Sequence, residues 1–509
     1  MKSASVNVTL ASLAIFLSGT AALTYEILWQ RQLFLIFGAS APATTAILTA
    51  IFLGIAFGSL LAVPLLRRTS RVVLLFAAIE AVVGIWGFVV PWTLDVADHT
   101  YHAAALALGE EHPLLEVVRF VLAVIPLLPA TLCMGATVPI MVSAVSQGQK
   151  SGVAWAYGIN ILGAVAGALA TGLLWIRLFG MNNTRFVAVG CNAAAIVALL
   201  LWHRRPQQEA ASPAAEQLKP AAETAAGFEQ QTSRLGGMYF AAGFVALGLE
   251  VVWLRFLGIV NTNSTVTFSL TLAVYLFGMG CGSLLLFPLL RRFLSGLRVF
   301  SLANGATALT ALATFGVIYA APAINYEGVT VPAIAGTLTL RDIYFTETRL
   351  ICSLMLLPTV FMGLAYPAIC EARAAEHSHS HEWNARAYFL GTLGSVAGIL
   401  TVSLFVIPVL GLHATFAGLV VISSVLAAVS FPQNETGKRR WLVPAGALGL
   451  VVWACVLAAD PRPVLRNSVA KRDGDRWLEF SNSPRGGRLS TITRFKAGAS
   501  ATVITKRKP

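Results

Sequence analysis

The sequence predicts an all-α polytopic membrane protein: two parallel six-helix repeats, one extra transmembrane helix and a short C-terminal β-hairpin-like tail. Three observations carry this prediction. The chain of 509 residues is 57% hydrophobic and only 12% charged, against about 25% charged in an ordinary soluble domain. Apolar runs of roughly 20 residues, each able to cross a ~30 Å hydrocarbon layer, recur along most of its length. A block of the first half also returns in the second half, in register.

The first run, residues 8–30, reads as a retained helix, because no small-residue cleavage site ends it. Further spans are expected at 41–66, 72–95, 117–145, 153–178 and 184–202. Residues 1–203 then make the first six-helix repeat. Residues 204–233, containing "PQQEAASPAAEQLKPAAETAAGFEQQTS", hold few large apolar side chains and read as a flexible linker. Spans at 235–258, 265–290, 298–321, 348–370, 386–409 and 413–431 make the second repeat, residues 234–432. A thirteenth span at 441–459 falls in residues 433–459, and residues 460–509 form a polar, basic tail.

The repeat rests on polar landmarks. "EILWQR" at 26–31 returns as "EVVWLR" at 250–255, and "GIAFGSLLAVPLLRR" at 54–68 as "GMGCGSLLLFPLLRR" at 278–292. Both pairs are offset by 224 residues (250 less 26, 278 less 54), and residues 18–68 share 19 identities in 51 with 242–292. Apolar helices share Leu and Ala through composition alone. They do not share Glu, Trp, Arg, Gly-Ser and Arg-Arg in register. "PATLCMGATVP" (129–139) answers "PTVFMGLAYP" (358–367), and "YGINILGAVAG" (157–167) answers "YFLGTLGSVAG" (388–398). Six spans per copy is an even number, so both copies enter the membrane from one side and the repeats are parallel.

The formal net charge of +13 points to the positive-inside rule before nucleic acid. With the N-terminus in the cytoplasm, 17 of the 36 basic residues lie in inner loops and linker, seven on the outer side, and 12 in the tail. Thirteen spans put the tail outside, and a re-entrant 441–459 or a count one span lower puts it inside; the side of the tail stays open. The six cysteines fall within expected helices without CxxC spacing, which suits small buried thiols.

Charges inside spans are rare and are functional candidates by default. Glu26 and Glu250 match across the repeat, as do Arg31 and Arg255, and Arg119 and Arg349. A Glu26–Arg119 pair mirrored by Glu250–Arg349 would line an outer-facing cavity or simply neutralise charge for packing. Trp29 and Trp253 read as interface anchors, and Arg31 and Arg255 as snorkelling helix ends. Glu80 has no acidic counterpart in the second copy, the asymmetry of a substrate or coupling-ion site or of a hydrogen-bonded helix residue. Asn160 is a further polar candidate. The pairs Gly54/Gly58, Gly278/Gly282, Gly163/Gly167 and Gly394/Gly398 place two missing side chains on one helix face, which admits a neighbouring helix. Pro129, Pro139, Pro358 and Pro367 are expected helix breaks. His377, His379 and His381 form a weak metal motif or a solvated loop. No nucleotide loop, HExxH or Ser-His-Asp order is present, so no catalytic residue is assigned.

"SGTAALTYEILWQRQLFLIFG" (18–38), "FGSLL" (57–61), "MGATVP" (134–139) and "YGINILGAVAG" (157–167) resemble the membrane region of bacterial fused transporter/spermidine-synthase-like proteins. The resemblance covers about residues 10–460. It implies a fold similar to the major-facilitator one, ahead of a domain related to polyamine aminopropyltransferases. "STITRFKAGASATVITKRKP" (490–509) is similar to the first hairpin of that domain, with Gly498, Ala501, Thr502 and Val503 in the typical run. The domain's Gly-rich loop and catalytic aspartates have no positions in this sequence. Aminopropyl transfer therefore does not carry over, and no cofactor is expected in this chain.

Two functions remain in view. One is a transporter-like domain associated with polyamine metabolism, moving polyamines or related small cationic metabolites. The other is a membrane anchor or regulatory module for a spermidine-synthase-like transferase on this or another chain. An enzyme in its own right is the least supported. The expected partners are the lipid bilayer, a small cationic metabolite and that transferase domain, with no nucleic acid. The expected location is the bacterial inner membrane, N-terminus cytoplasmic.

Overall fold

The computed structural model describes residues 2–37, 41–109, 112, 114–145, 152–204, 222–260, 265–320, 340–374, 380–432, 446, 492–497 and 502–506. The helices are α1 (Lys2–Phe37), α2 (Ala41–Arg68), α3 (Val72–Leu108), α4 (Leu114–Val145), α5 (Gly152–Leu169), α6 (Ile176–His203), α7 (Ala222–Val260), α8 (Thr265–Cys281), α9 (Phe287–Leu290), α10 (Gly296–Ala320), α11 (Leu340–Ile351), α12 (Leu357–Met362), α13 (Ala365–Ala374), α14 (Ser380–Leu400) and α15 (Ile407–Ser430). In hydrocarbon every backbone N–H and C=O must be satisfied within its own segment, so apolar runs of this length become helices.

Among the described residues, nine helical stretches are long and apolar enough to cross a membrane. Two of them, Gly152–His203 and Glu382–Ser430, are each two helices, parted at Gly180 (φ 73°) and Gly411 (φ 80°). Only glycine takes that conformation at no steric cost. The breaks fall where spans 5 and 6, and 11 and 12, were expected to separate. α10 has the length of a span and is not among these nine. The thirteenth span, at 441–459, lies outside the described residues apart from Gly446.

The N-terminal group packs α1 on α5 and α6, α2 on α4, and α3 on α4 and α6. The C-terminal group packs α7 on α14 and α15, α8 on α12, and α10 on α12, α13 and α15. The groups meet where α2 lies on α14 and α5 on α8. Glycine lets these backbones touch. A Cβ on Gly163 would meet the carbonyl oxygen of Phe16, and one on Gly394 that of Phe240. Gly167 likewise meets Thr20 and Gly398 meets Phe244. Gly54 abuts the Thr131 hydroxyl and Gly278 that of Thr359, while Gly58 meets the carbonyl of Leu132 and Gly282 that of Val360.

Two expectations need correction. Pro129 and Pro139 do not break their helix, since α4 runs unbroken through both and through Pro126. Proline's fixed φ suits a helix and forfeits one hydrogen bond, and close packing of α4 on α2 holds the rest. Pro358 instead opens α12 behind a π-helical turn at Cys352–Leu356, and Pro367 sits in the first turn of α13. Further π-helical stretches lie at Ala170–Trp175, Gly282–Leu286 and Thr401–Val406. The second correction concerns the linker: α7 begins at Ala222, inside the segment read as flexible. Its Ala, Glu and Gln are poor core builders and good helix formers.

Near the C-terminus, β1 (Ile492–Ala497) and β2 (Thr502–Lys506) pair antiparallel, with Phe495 opposite Ile504 and an irregularity between Ile492 and Arg494.

Candidate functional site

Glu26 projects from α1 and Glu250 from α7. Glu26 is partly buried, and Glu250 is 6% exposed. The two carboxylates lie within electrostatic reach of each other. Among the described residues neither makes a hydrogen bond or an ion pair. Tyr275 on α8 lies within electrostatic reach of Glu250, is buried, and leaves its hydroxyl without a partner. Gln30, one helical turn beyond Glu26 and so on the same face of α1, is buried with its amide nitrogen unpartnered. α1, α7 and α8 thus carry two carboxylates and the Tyr275 hydroxyl within electrostatic reach, with a further unspent donor on the Glu26 face of α1. Burying unpaired charge is expensive. A cation or a proton brought to this place would satisfy the carboxylates.

The basic residues expected to pair with these glutamates do not. Arg119 is held by Glu116, one turn back on α4, at 2.7 and 2.8 Å, and donates to the Tyr101 hydroxyl at 2.9 Å. A pair within one helix forms whatever the orientation of its neighbours, so it wins over the expected Glu26–Arg119 contact. Among the described residues Glu250 makes no ion pair, and Arg349 is exposed. Trp29 and Trp253 are core residues, each almost fully buried, and not interface anchors; Trp29 stacks on Tyr25 with ring centroids 5.3 Å apart. Arg255 is half-buried and donates to the Ser403 hydroxyl at 3.3 Å. Ser403 in turn lies 2.5 Å from the Thr45 hydroxyl, joining α2 to the π-helical stretch after α14.

Glu80 sits elsewhere, inside the N-terminal group. It is 1% exposed. Ser18 of α1 donates to its Oε1 at 2.6 Å, and Asn192 of α6 to its Oε2 at 2.7 Å. The Tyr25 hydroxyl donates to Asn192 Oδ1 at 2.9 Å. Removing that hydroxyl by Tyr25→Phe leaves a buried carbonyl unsatisfied and is expected to cost about 1–2 kcal/mol, read as a lower unfolding temperature of the detergent-solubilised protein. Asn160 lies on α5, where its side-chain amide donates to the Ile15 carbonyl at 3.3 Å and its backbone carbonyl faces Gly19.

At the end of the bundle carrying the first residues of α5 and α7, Tyr366 touches three other tyrosines. The ring centroids of Tyr157, Tyr388 and Tyr239 lie 4.8, 5.5 and 6.0 Å away. Tyr157 comes from the N-terminal group, the other three from the C-terminal group. Arg67 of α2 and Glu382 of α14 form a two-pronged pair at the same end, both bonds 2.7 Å.

His377 and His379 lie outside the described residues, and His381 is in the first turn of α14. Among the described residues no group of three His, Cys, Asp or Glu is placed to hold a metal, and the described cysteines are free thiols. Tyr275, Gln30, Asn192 and Ser403 were not singled out from the sequence. Single polar residues within helices of this kind are too common in the chain to select these four from the sequence.

No family model matches the chain, and no curated protein matches it. Solved structures do. A nucleoside transporter, NupG, is 11% identical, with 84% of this chain and 98% of that one covered and a TM-score of 0.47. A bacterial homologue of the iron transporter ferroportin is 14% identical, covering 88% and 98%, with a TM-score of 0.49. The POT family transporter PepTSo is 12% identical, covering 90% and 98%, with a TM-score of 0.46.

Proposed function

We propose that this chain is a multi-pass transporter whose solute passes between two six-helix repeats beside Glu26 and Glu250, and that the solute is a small cation such as a polyamine. One observation carries the reading: carboxylates from matching positions of α1 and α7 approach each other without a basic partner among the described residues. A site with two uncompensated negative charges in a membrane interior selects for positive charge. The repeat reading is supported by glycine contacts that recur on equivalent backbones and by the breaks at Gly180 and Gly411. The distribution of Lys and Arg favours a cytoplasmic N-terminus in a bacterial inner membrane.

Labelled spermidine and proteoliposomes test this. Saturable uptake that disappears in Glu26→Gln and Glu250→Gln variants, with folding intact, is the expected result. A second reading, a membrane anchor for a spermidine-synthase-like transferase, is favoured by the β1–β2 ladder near the C-terminus. Folded protein without saturable uptake of any cation tested, and with a transferase co-purifying through residues 460–509, would establish that alternative.

A further inference from the structure

The Glu80 network is separate from the path beside Glu26 and Glu250. Glu80 is the one acidic side chain of α3 that is buried among the described residues. α3 starts at Val72 and α10 at Gly296, the same 224-residue offset as the repeat, so the position matching Glu80 is Asn304. Asn192 lies twelve residues beyond the break at Gly180, and Ser423 twelve beyond Gly411. Ser423 hydrogen-bonds the Asn304 carbonyl at 2.9 Å, and the Asn304 amide bonds the Phe300 carbonyl at 2.8 Å. The C-terminal group therefore knits α10 to α15 with neutral groups alone. The N-terminal group makes the equivalent junction of α3 and α6 with a titratable one. A carboxyl is not needed to hold this junction together.

The surroundings of Glu80 suit both of its protonation states. When ionised, it accepts from the Ser18 hydroxyl and the Asn192 amide, the arrangement observed. When protonated on Oε1, it donates that proton to Ser18 Oγ. The Ser18 hydroxyl hydrogen then turns to the helix carbonyl one turn back, a bond that serine readily makes. No hydrogen bond is lost in either state. The titratable groups facing Glu80 are Tyr25 of α1, Cys133 of α4 and, beside Tyr25, Cys191 of α6. None is a cation, and Glu80 belongs to no ion pair among the described residues. Ser18 and Tyr25 lie on α1, the helix that carries Glu26. The Glu80 network therefore reaches the helix that carries Glu26.

We propose that Glu80 is a proton-binding residue that couples a proton gradient to solute movement, distinct from the solute site. The proton comes from water on one side, makes Glu80 a neutral carboxylic acid, and returns to water on the other. The coupling role rests on the transport reading; the change of protonation does not.

Two measurements test it. In proteoliposomes with labelled spermidine, Glu80→Gln should keep solute counterflow within about twofold and lose accumulation driven by a pH gradient by about tenfold or more. Accumulation equal to the parent's overturns the proposal. Failure of the parent to show counterflow counts against the transport reading instead. For that case, pH-difference infrared spectra of the purified full-length chain give a direct readout. A protonated-carboxyl band that titrates in the parent and is absent from Glu80→Gln is expected, and identical spectra for the two overturn the proposal.

Discussion

Glu250→Gln should raise the unfolding temperature of the purified protein while lowering saturable uptake by at least about tenfold. The two effects have one cause. Glu250 is buried, lies within reach of Glu26, and has no compensating partner among the described residues. Two like charges within electrostatic reach repel more strongly in a protein interior than in water, and desolvation adds to that cost. An isosteric amide removes both penalties and keeps the volume. If Glu250 served packing alone, its loss would lower stability and leave uptake intact in whatever protein folds. That opposite outcome would remove the pair from the transport path. Glu26→Gln should act in the same direction with a smaller rise in stability, because Glu26 is partly exposed.

Gly163→Leu and Gly394→Leu should each abolish monodisperse protein in detergent, whereas Gly190→Leu should not. A side chain at Gly163 runs into the backbone of α1 at Phe16, and one at Gly394 into α7 at Phe240. Backbone cannot swing aside as a side chain can, so the helices must separate. Forcing extra atoms into close-packed interiors costs about 1–3 kcal/mol and more where nothing yields. Separation of α1 from α5 also parts the remaining small-residue contacts that hold membrane helices together. Gly190 lies on α6 with nothing near its missing Cβ, which makes it the matched control. Normal size-exclusion profiles for both Leu variants would show that these contacts do not hold the bundle.

Much of this was legible in the chain. Spans 1 to 12 fall on described helices because hydrocarbon leaves a long apolar run no structure but a helix. The matching of Glu26 to Glu250 and of Gly163 to Gly394 followed from register. Local chemistry was less legible. The Ala, Glu and Gln of residues 222–231 signalled a loop by their polarity and form a helix by their propensity. Pro129 and Pro139 signalled breaks that tertiary packing overrode.

By itself the sequence determined where the apolar helices run, since hydropathy is a property of the chain alone. It did not determine which polar side chains meet. A rotation of α1 by about 100°, one residue's worth, would turn Glu26 away from Glu250 and Ser18 away from Glu80. Only the tertiary structure decides that rotation, through glycine contacts such as Gly163 on Phe16 that set how closely and at what angle the helices cross. It sent Arg119 to Glu116, buried Trp29 against Tyr25, and left Glu26 and Glu250 within electrostatic reach of each other.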